Sequence, residues 1–186
     1  MSHVPKLVVL SGPSAVGKGT LASYIISNNS DFDLSISATT RGPRQGEVDG
    51  VSYFFVSDED FNQMIQAGEL LEWATVHGQN RYGTPKASVE TSLEAGRNVV
   101  LEIDVQGAFQ VKKAFPSALL IFVNPPSFEE LERRMQNRGT ESIEDMVIRL
   151  DTAKAELDLA SSFDFQVEND EVARCAQEVV DLVKSN

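Results

Sequence analysis

The chain has one cysteine in 186 residues, 16 Lys plus Arg against 28 Asp plus Glu, and no apolar run longer than the six residues Ala118–Val123. The lone Cys175 excludes a disulfide framework and fits a reducing compartment. Six apolar residues fall far short of the roughly 20 that span a bilayer, and Leu7–Leu10 is too short for a signal-peptide core, so cytoplasm is the expected location. A formal charge of −12 opposes duplex nucleic acid and anionic membranes unless a basic patch is concentrated locally. Also missing are a repeat of roughly 20 to 50 residues, a heptad series and a low-complexity tract, which excludes solenoids and coiled coils. What remains, 41% hydrophobic and 24% charged residues, is the balance of a folded globular domain and not of a disordered chain. At about 150 residues per domain the length predicts one domain with insertions.

Three apolar, β-branched runs, Leu7–Leu10, Asn98–Ile103 and Ala118–Val123, read as fully buried strands, with a weaker one at Phe165–Val167. Between and after them, Lys18–Ser27, Val105–Ala114, Phe128–Arg138, Ile143–Ala160 and Val172–Val183 carry apolar residues at three and four spacing. Buried strands alternating with helices predict an α/β fold, a doubly wound parallel sheet. Two stretches break the alternation. From about 37 to 88, Tyr53–Val56, Leu70–His77 and Asn80–Tyr82 read as strands of a small separate sheet, and Ser57 before Asp58, Glu59 and Asp60 caps a helix to Ala67. From about 126 to 161, two polar, Arg-containing helices joined through Arg138, Gly139 and Thr140 read as a lid. The expected organisation is therefore one domain, 4–185, with its core at about 4–36, 89–125 and 162–185.

Directly after the first strand stands Gly12-Pro13-Ser14-Ala15-Val16-Gly17-Lys18-Gly19-Thr20, a G-x-x-x-x-G-K loop opening a helix. Glycines let backbone N–H groups curl around phosphate oxygens, the helix N-terminus adds positive potential, and Lys18 reaches the outer phosphates as a point charge. The loop therefore reads as a phosphate site for a nucleoside triphosphate. The usual hydroxyl after the lysine, a ligand of Mg²⁺, is replaced by Gly19; Thr20 is the next hydroxyl along.

An acceptor site falls to the insertion. Ser37-Ala38-Thr39-Thr40-Arg41-Gly42-Pro43-Arg44 sets two guanidiniums three residues apart beside hydroxyls, and Tyr53 follows Gly46-Glu47-Val48-Asp49-Gly50-Val51-Ser52. Arginine forks bind phosphate oxygens bidentately. Taken alone, the segment fits a phosphate clamp and a solvated charged loop equally well. In the lid, Arg134 and Arg138 are four apart on one helical face and Arg149 lies on the next helix; taken alone, such residues usually face solvent.

The ordered series of the phosphate loop, Thr39–Arg44, Gly46-Glu47, Leu71-Glu72-Trp73-Ala74, Tyr82-Gly83-Thr84, Glu102-Ile103-Asp104-Val105-Gln106-Gly107 and Arg138-Gly139-Thr140-Glu141 resembles the guanylate kinases over nearly the whole chain. The resemblance implies ATP as donor with Mg²⁺, GMP and also dGMP as acceptors, and no nucleic acid, membrane or obligate protein partner. It makes Ser37, Arg41, Arg44, Tyr53 and Tyr82 the clamp on the GMP phosphate and Glu72, Thr84 and Asp104 the guanine readers. A carboxylate and a hydroxyl do complement the N1–H, N2–H₂ and O6 of guanine. Lys18, Arg44, Arg134, Arg138 and Arg149 become the catalytic cations, Asn169 a neighbour of the ATP adenine, and Thr20 with Glu102, through water, the groups nearest the metal. The sequence departs from the commonest family pattern at Gly19, at Glu102, where an aspartate is frequent, and at His77-Gly78-Gln79-Asn80-Arg81. That last run is one residue longer than in some relatives, has Arg where Tyr is frequent, and reads as a turn variation with a structural His77. The rival readings are a kinase for AMP or UMP and a non-catalytic scaffold domain. An intact Gly12, Gly17, Lys18, Arg138 and Arg149 speaks against the second, and the want of an Asn-Lys-x-Asp series against a GTPase switch.

Overall fold

The computed structural model describes residues 4–76, 80–137 and 143–186. The chain opens with β1 (Leu7–Ser11), α1 (Lys18–Asn28) and β2 (Phe32–Leu34) and then leaves the core. It runs through β3 (Ala38–Thr39), β4 (Phe54–Phe55), α2 (Asp58–Gln66), β5 (Leu70–Val76) and β6 (Asn80–Pro85), and returns by α3 (Lys86–Glu94). There follow β7 (Asn98–Glu102), α4 (Val105–Ala114), β8 (Leu119–Asn124), α5 (Phe128–Asn137), α6 (Ile143–Asp158), β9 (Phe165–Glu168) and α7 (Val172–Ser185).

Five strands run parallel in the order β2-β7-β1-β8-β9, the doubly wound α/β core that the alternation predicts. Val8 and Leu10 of β1 pack in a cluster with Leu21 and Ile25 of α1 and Val179 and Val183 of α7. Leu7 and Val9 belong to a second cluster, with Val105, Ala108 and Val111 of α4. Burial on both faces is why these strands read as unbroken apolar runs. Among the described residues no helix is long and apolar enough to cross a membrane.

The insertion forms its own four-stranded sheet in the order β4-β3-β6-β5, with β3 and β4 parallel and the other pairs antiparallel. Ser57 caps α2 as its sequence predicts, accepting the Asp60 N–H at 3.1 Å. Three elements were not expected: β2, β3 and α3. The strands are three and two residues long, and α3 starts after Pro85 with no side-chain cap and a lysine in its first turn. Arg138 and His77 lie outside the described residues.

Carboxyl ends of parallel strands are where this architecture places ligands. The phosphate loop leaves the end of β1, Glu102 to Asp104 leave the end of the adjacent β7, and the insertion starts beside them, with the Ser35 N–H bonded to Val100 O at 3.0 Å.

Candidate active site

The phosphate loop is shaped by backbone that side chains would obstruct. Gly12 has φ +140° and lies so close to β8 that a Cβ would collide with Val123 O. Gly17 has φ +100°, and a Cβ there would meet Asn169 Nδ2 at 2.6 Å. Ala15 holds φ 65° without being glycine, a strain of the kind that collects at ligand loops. Lys18 opens α1, and its ammonium arches back over the loop, donating to Gly12 O at 2.6 Å and Pro13 O at 3.2 Å. Asn169, almost fully buried, donates from Nδ2 to Val16 O at 2.9 Å, and Arg134 donates to the same carbonyl at 3.1 Å and to Asn169 O at 3.2 Å. These two residues brace the loop from behind.

A cavity of about 430 Å³ joins the two expected sites. Gly12, Ser14, Lys18 and Glu102 line its core side; Ser37, Arg44, Tyr53, Glu72 and Tyr82 line it from the insertion; Asp104 and Arg149 complete the wall. Residues from seven separated stretches of sequence are thus brought to one chamber. Arg41, Thr84, Arg134, Asn169 and Thr20 do not line it: Arg41 and Thr84 bond to the lining residues Tyr82 and Glu72, and Arg134 and Asn169 bond to Val16 of the phosphate loop.

Arg41 is a hub beneath the insertion side of the chamber. Its Nε donates to the Tyr82 hydroxyl at 3.1 Å, and its two terminal nitrogens grip the Glu47 carboxylate at 2.9 and 2.8 Å. The guanidinium also lies 5.4 Å from the Tyr53 ring centre. The bond to Glu47 holds Arg41 charged more firmly than an ordinary arginine, against the opposing effect of burial, and the same bond holds Glu47 below the usual carboxylate range. Glu47 also accepts the Arg44 backbone N–H at 2.7 Å, so one carboxylate fixes both arginines of the segment. Tyr53 and Tyr82 meet edge to face at 5.9 Å, and burial, then the charge of Glu102, pushes the Tyr53 phenol up.

Around Glu72 and Asp104 the chamber is acidic, and Glu72 is shielded from solvent. Glu72 of β5 is 4% exposed, and Thr84 of β6 donates its hydroxyl to Glu72 Oε1 at 2.7 Å. Burial pushes the Glu72 carboxyl up to about 7, opposed by the Thr84 bond and assisted by the negative charge of Asp104. Asp104 caps α4 and accepts the Gly107 N–H at 2.7 Å. Thr84, itself fully buried, fixes the position of the Glu72 carboxylate.

Glu102 answers the departure at Gly19. A Cβ on residue 19 would stand 3.1 Å from Glu102 Oε2 and 3.5 Å from Oε1, so the longer carboxylate fills the space that a side chain after the lysine would use. Thr20 is exposed and is not among the chamber residues, whereas Glu102 lines the chamber and sets a carboxylate beside the loop. A carboxylate supplementing substrate phosphates is the donor set Mg²⁺ prefers.

The structure also places residues that the sequence reading passed over. Thr152 and Glu156 of α6 line the chamber with Arg149, at i, i+3 and i+7, a helical-face signal present in the sequence. Burial pushes Glu156 up to about 7, with Lys18 opposing and Asp104 assisting. Arg81 is more than a turn variation: its guanidinium sits 4.8 Å over the Phe61 ring and donates to Asn62 Oδ1 at 2.6 Å and to the Asp58 carbonyl at 2.8 Å, fastening α2 to β6.

With this geometry in hand, comparison with known proteins is specific. The chain is 57% identical over 177 residues to a guanylate kinase of Leifsonia xyli subsp. xyli, covering 95% of this chain and 70% of that protein. It is 47% identical over 185 residues to a guanylate kinase of Prochlorococcus marinus subsp. pastoris, covering both proteins end to end. The crystal structure of guanylate kinase from Anaplasma phagocytophilum superposes with a TM-score of 0.83 at 30% identity, over 99% of this chain and 87% of that one. A shikimate kinase from Bacteroides thetaiotaomicron, 12% identical over 96% of this chain and 98% of its own, shares the fold alone at a TM-score of 0.52. The guanylate kinase family model matches residues 4–186, and the chain belongs to the guanylate kinase family.

Proposed function

We propose that the chain transfers the γ-phosphoryl group of ATP to GMP, giving ADP and GDP, in a single in-line step. The observation that carries this reading is that the phosphate loop and the acidic base-reading wall face one chamber. The core side takes the donor: backbone N–H groups of the loop and the Lys18 ammonium neutralise its outer phosphates. On the insertion, Arg44, Ser37 and the hydroxyls of Tyr53 and Tyr82 take the acceptor phosphate, and Arg41 keeps Tyr82 and Tyr53 in place. An oxygen of the GMP phosphate forms the new bond to Pγ while the bond from Pγ to the bridging oxygen of ADP breaks. That acceptor is already ionised, so no general base is required.

Two polyanions must approach each other, and the chain's few cations are spent where repulsion is greatest: Lys18, Arg44 and Arg149 all line the chamber. Arg138 is proposed for the same task from the lid. Mg²⁺, when bound with ATP, withdraws charge from the transferring phosphates, and Glu102 is the residue that would hold it. Glu72, once ionised, accepts the N1–H and N2–H₂ donors of guanine with Asp104 alongside; adenine would leave these buried oxygens unpaired. The substrates are thus ATP with GMP, and dGMP by the same base contacts.

The experiment is a coupled assay of ADP release from MgATP with GMP, AMP, CMP and UMP presented separately. Turnover with GMP alone is expected. Turnover with AMP or UMP instead would overturn the assignment of Glu72 and Asp104, and none with any acceptor would overturn the enzyme reading.

A further inference from the structure

Gly107 lies in the first turn of α4, buried, where glycine is among the poorest helix formers. It is not among the described glycines with positive φ, so no turn or left-handed conformation calls for it. What a missing side chain supplies here is space, and the space is taken by two carboxylates. A Cβ on residue 107 would stand 2.7 Å from Glu72 Oε2, 3.3 Å from Glu72 Cδ and 3.2 Å from Asp104 Oδ1. Meanwhile the Gly107 N–H donates to Asp104 Oδ1 at 2.7 Å.

The two groups come from different parts of the chain, Glu72 from the insertion and Asp104 from the core. Glu72 is held at its other oxygen by Thr84, which is fully buried and cannot follow a displaced carboxylate. A methyl group at 107 would therefore turn Oε2 away while Oε1 stays tethered. Resting on the reading of Glu72 and Asp104 as guanine contacts, we propose that Gly107 is a positioning residue for acceptor selectivity. Its empty side sets where the Glu72 carboxylate points, and its N–H sets where Asp104 points. The 2-amino group of guanine is the part of the acceptor most exposed to this placement, since it needs an acceptor oxygen that IMP does not.

The test is Gly107→Ala in the full chain, with kcat and KM measured for GMP, for IMP and for ATP, alongside Tm. Expected are a rise in KM for GMP of about tenfold, a fall in the GMP-to-IMP preference of similar size, and kcat at saturating GMP and KM for ATP within about threefold of the starting protein. A helix-propensity effect alone would raise Tm and leave the acceptor preference unchanged, and that result overturns the proposal. Combining Glu72→Ala with Gly107→Ala removes the closer clash, that with Glu72, and leaves only the looser approach to Asp104, so the second substitution should then change KM for GMP by less than about twofold. Should Gly107→Ala fail to fold, the double variant is expected to regain the Tm of Glu72→Ala alone, and failure to regain it overturns the proposal. A starting protein that does not distinguish GMP from IMP or AMP would instead overturn the guanine contacts themselves.

Discussion

The two walls of the chamber solve recognition by opposite means. On the donor side the shape is backbone: Gly12 and Gly17 in conformations that disfavour side chains, with Asn169 and Arg134 bracing the Val16 carbonyl from behind. On the proposed acceptor side the shape is side chain: Arg41 bonds Glu47 and Tyr82, and Thr84 separately bonds Glu72, across four segments of the insertion. Phosphate is the same on every nucleotide, so a curl of N–H groups suffices for it. A base has an individual edge, and matching it takes oriented, desolvated side chains with fixed partners.

This contrast can be broken one wall at a time. Lys18→Ala should have the largest effect, lowering turnover about a thousandfold while the dissociation constant of GMP, measured by calorimetry, stays within about threefold. Glu72→Gln should do the reverse, raising KM for GMP about a hundredfold with KM for ATP unmoved, because the new amide presents a donor where guanine presents donors. A loss in both substrates for either variant would mean the walls are not separable.

Titration sharpens the same distinction. Glu72 has a folded-state value of about 7, above its ordinary 4.5. Its contribution to stability is therefore fully present below the unfolded value and is lost as pH rises through about 7. Guanine binding runs the other way, since the ionised carboxylate is the form that accepts N1–H and N2–H₂. Between pH 6 and 8 the affinity for GMP should rise up to about tenfold, after subtraction of the profile of Glu72→Gln, while Tm of the ligand-free protein falls. A profile that survives in Glu72→Gln would assign it to another group, Glu156 first. The smallest effect is expected from Arg81→Ala: about 1 to 2 kcal/mol of stability from the lost stacking and hydrogen bonds, seen as a Tm lower by several degrees, with GMP kinetics nearly unchanged.

The same division explains what could be read from residues alone. The phosphate loop was legible because its glycines and lysine are contiguous, and the core strands because burial on both faces leaves unbroken apolar runs. The insertion residues were legible in type, but their partners were not: Arg41 and Thr84 carry groups suited to phosphate and base, and their pairing with Glu47 and Glu72 depends on loop and strand placement that no local pattern encodes. Asn169 and Arg134 likewise brace the loop in this structure, a role visible only once β9 and α5 lie beside it. Gly107 closes the Glu102–Gly107 stretch without any task of its own being legible, because a glycine that merely makes room resembles any weak helix residue. The strands β2 and β3 are too short for periodicity, and α3 begins without a capping side chain.

Pairing of Leu7 with Val99 brings the ends of a long chain segment together before the core sheet can close, and the whole insertion lies inside that loop. Closure cost rises only with the logarithm of loop length, about 0.6 kcal/mol per doubling. Residues added to or removed from the insertion therefore cost the core little, in stability or in the rate at which β1 finds β7. Glu72 and the proposed clamp on the acceptor phosphate sit in the part of the chain whose length folding constrains least, with only Asp104 supplied by the core, so acceptor choice can change there while the phosphate loop stays as it is.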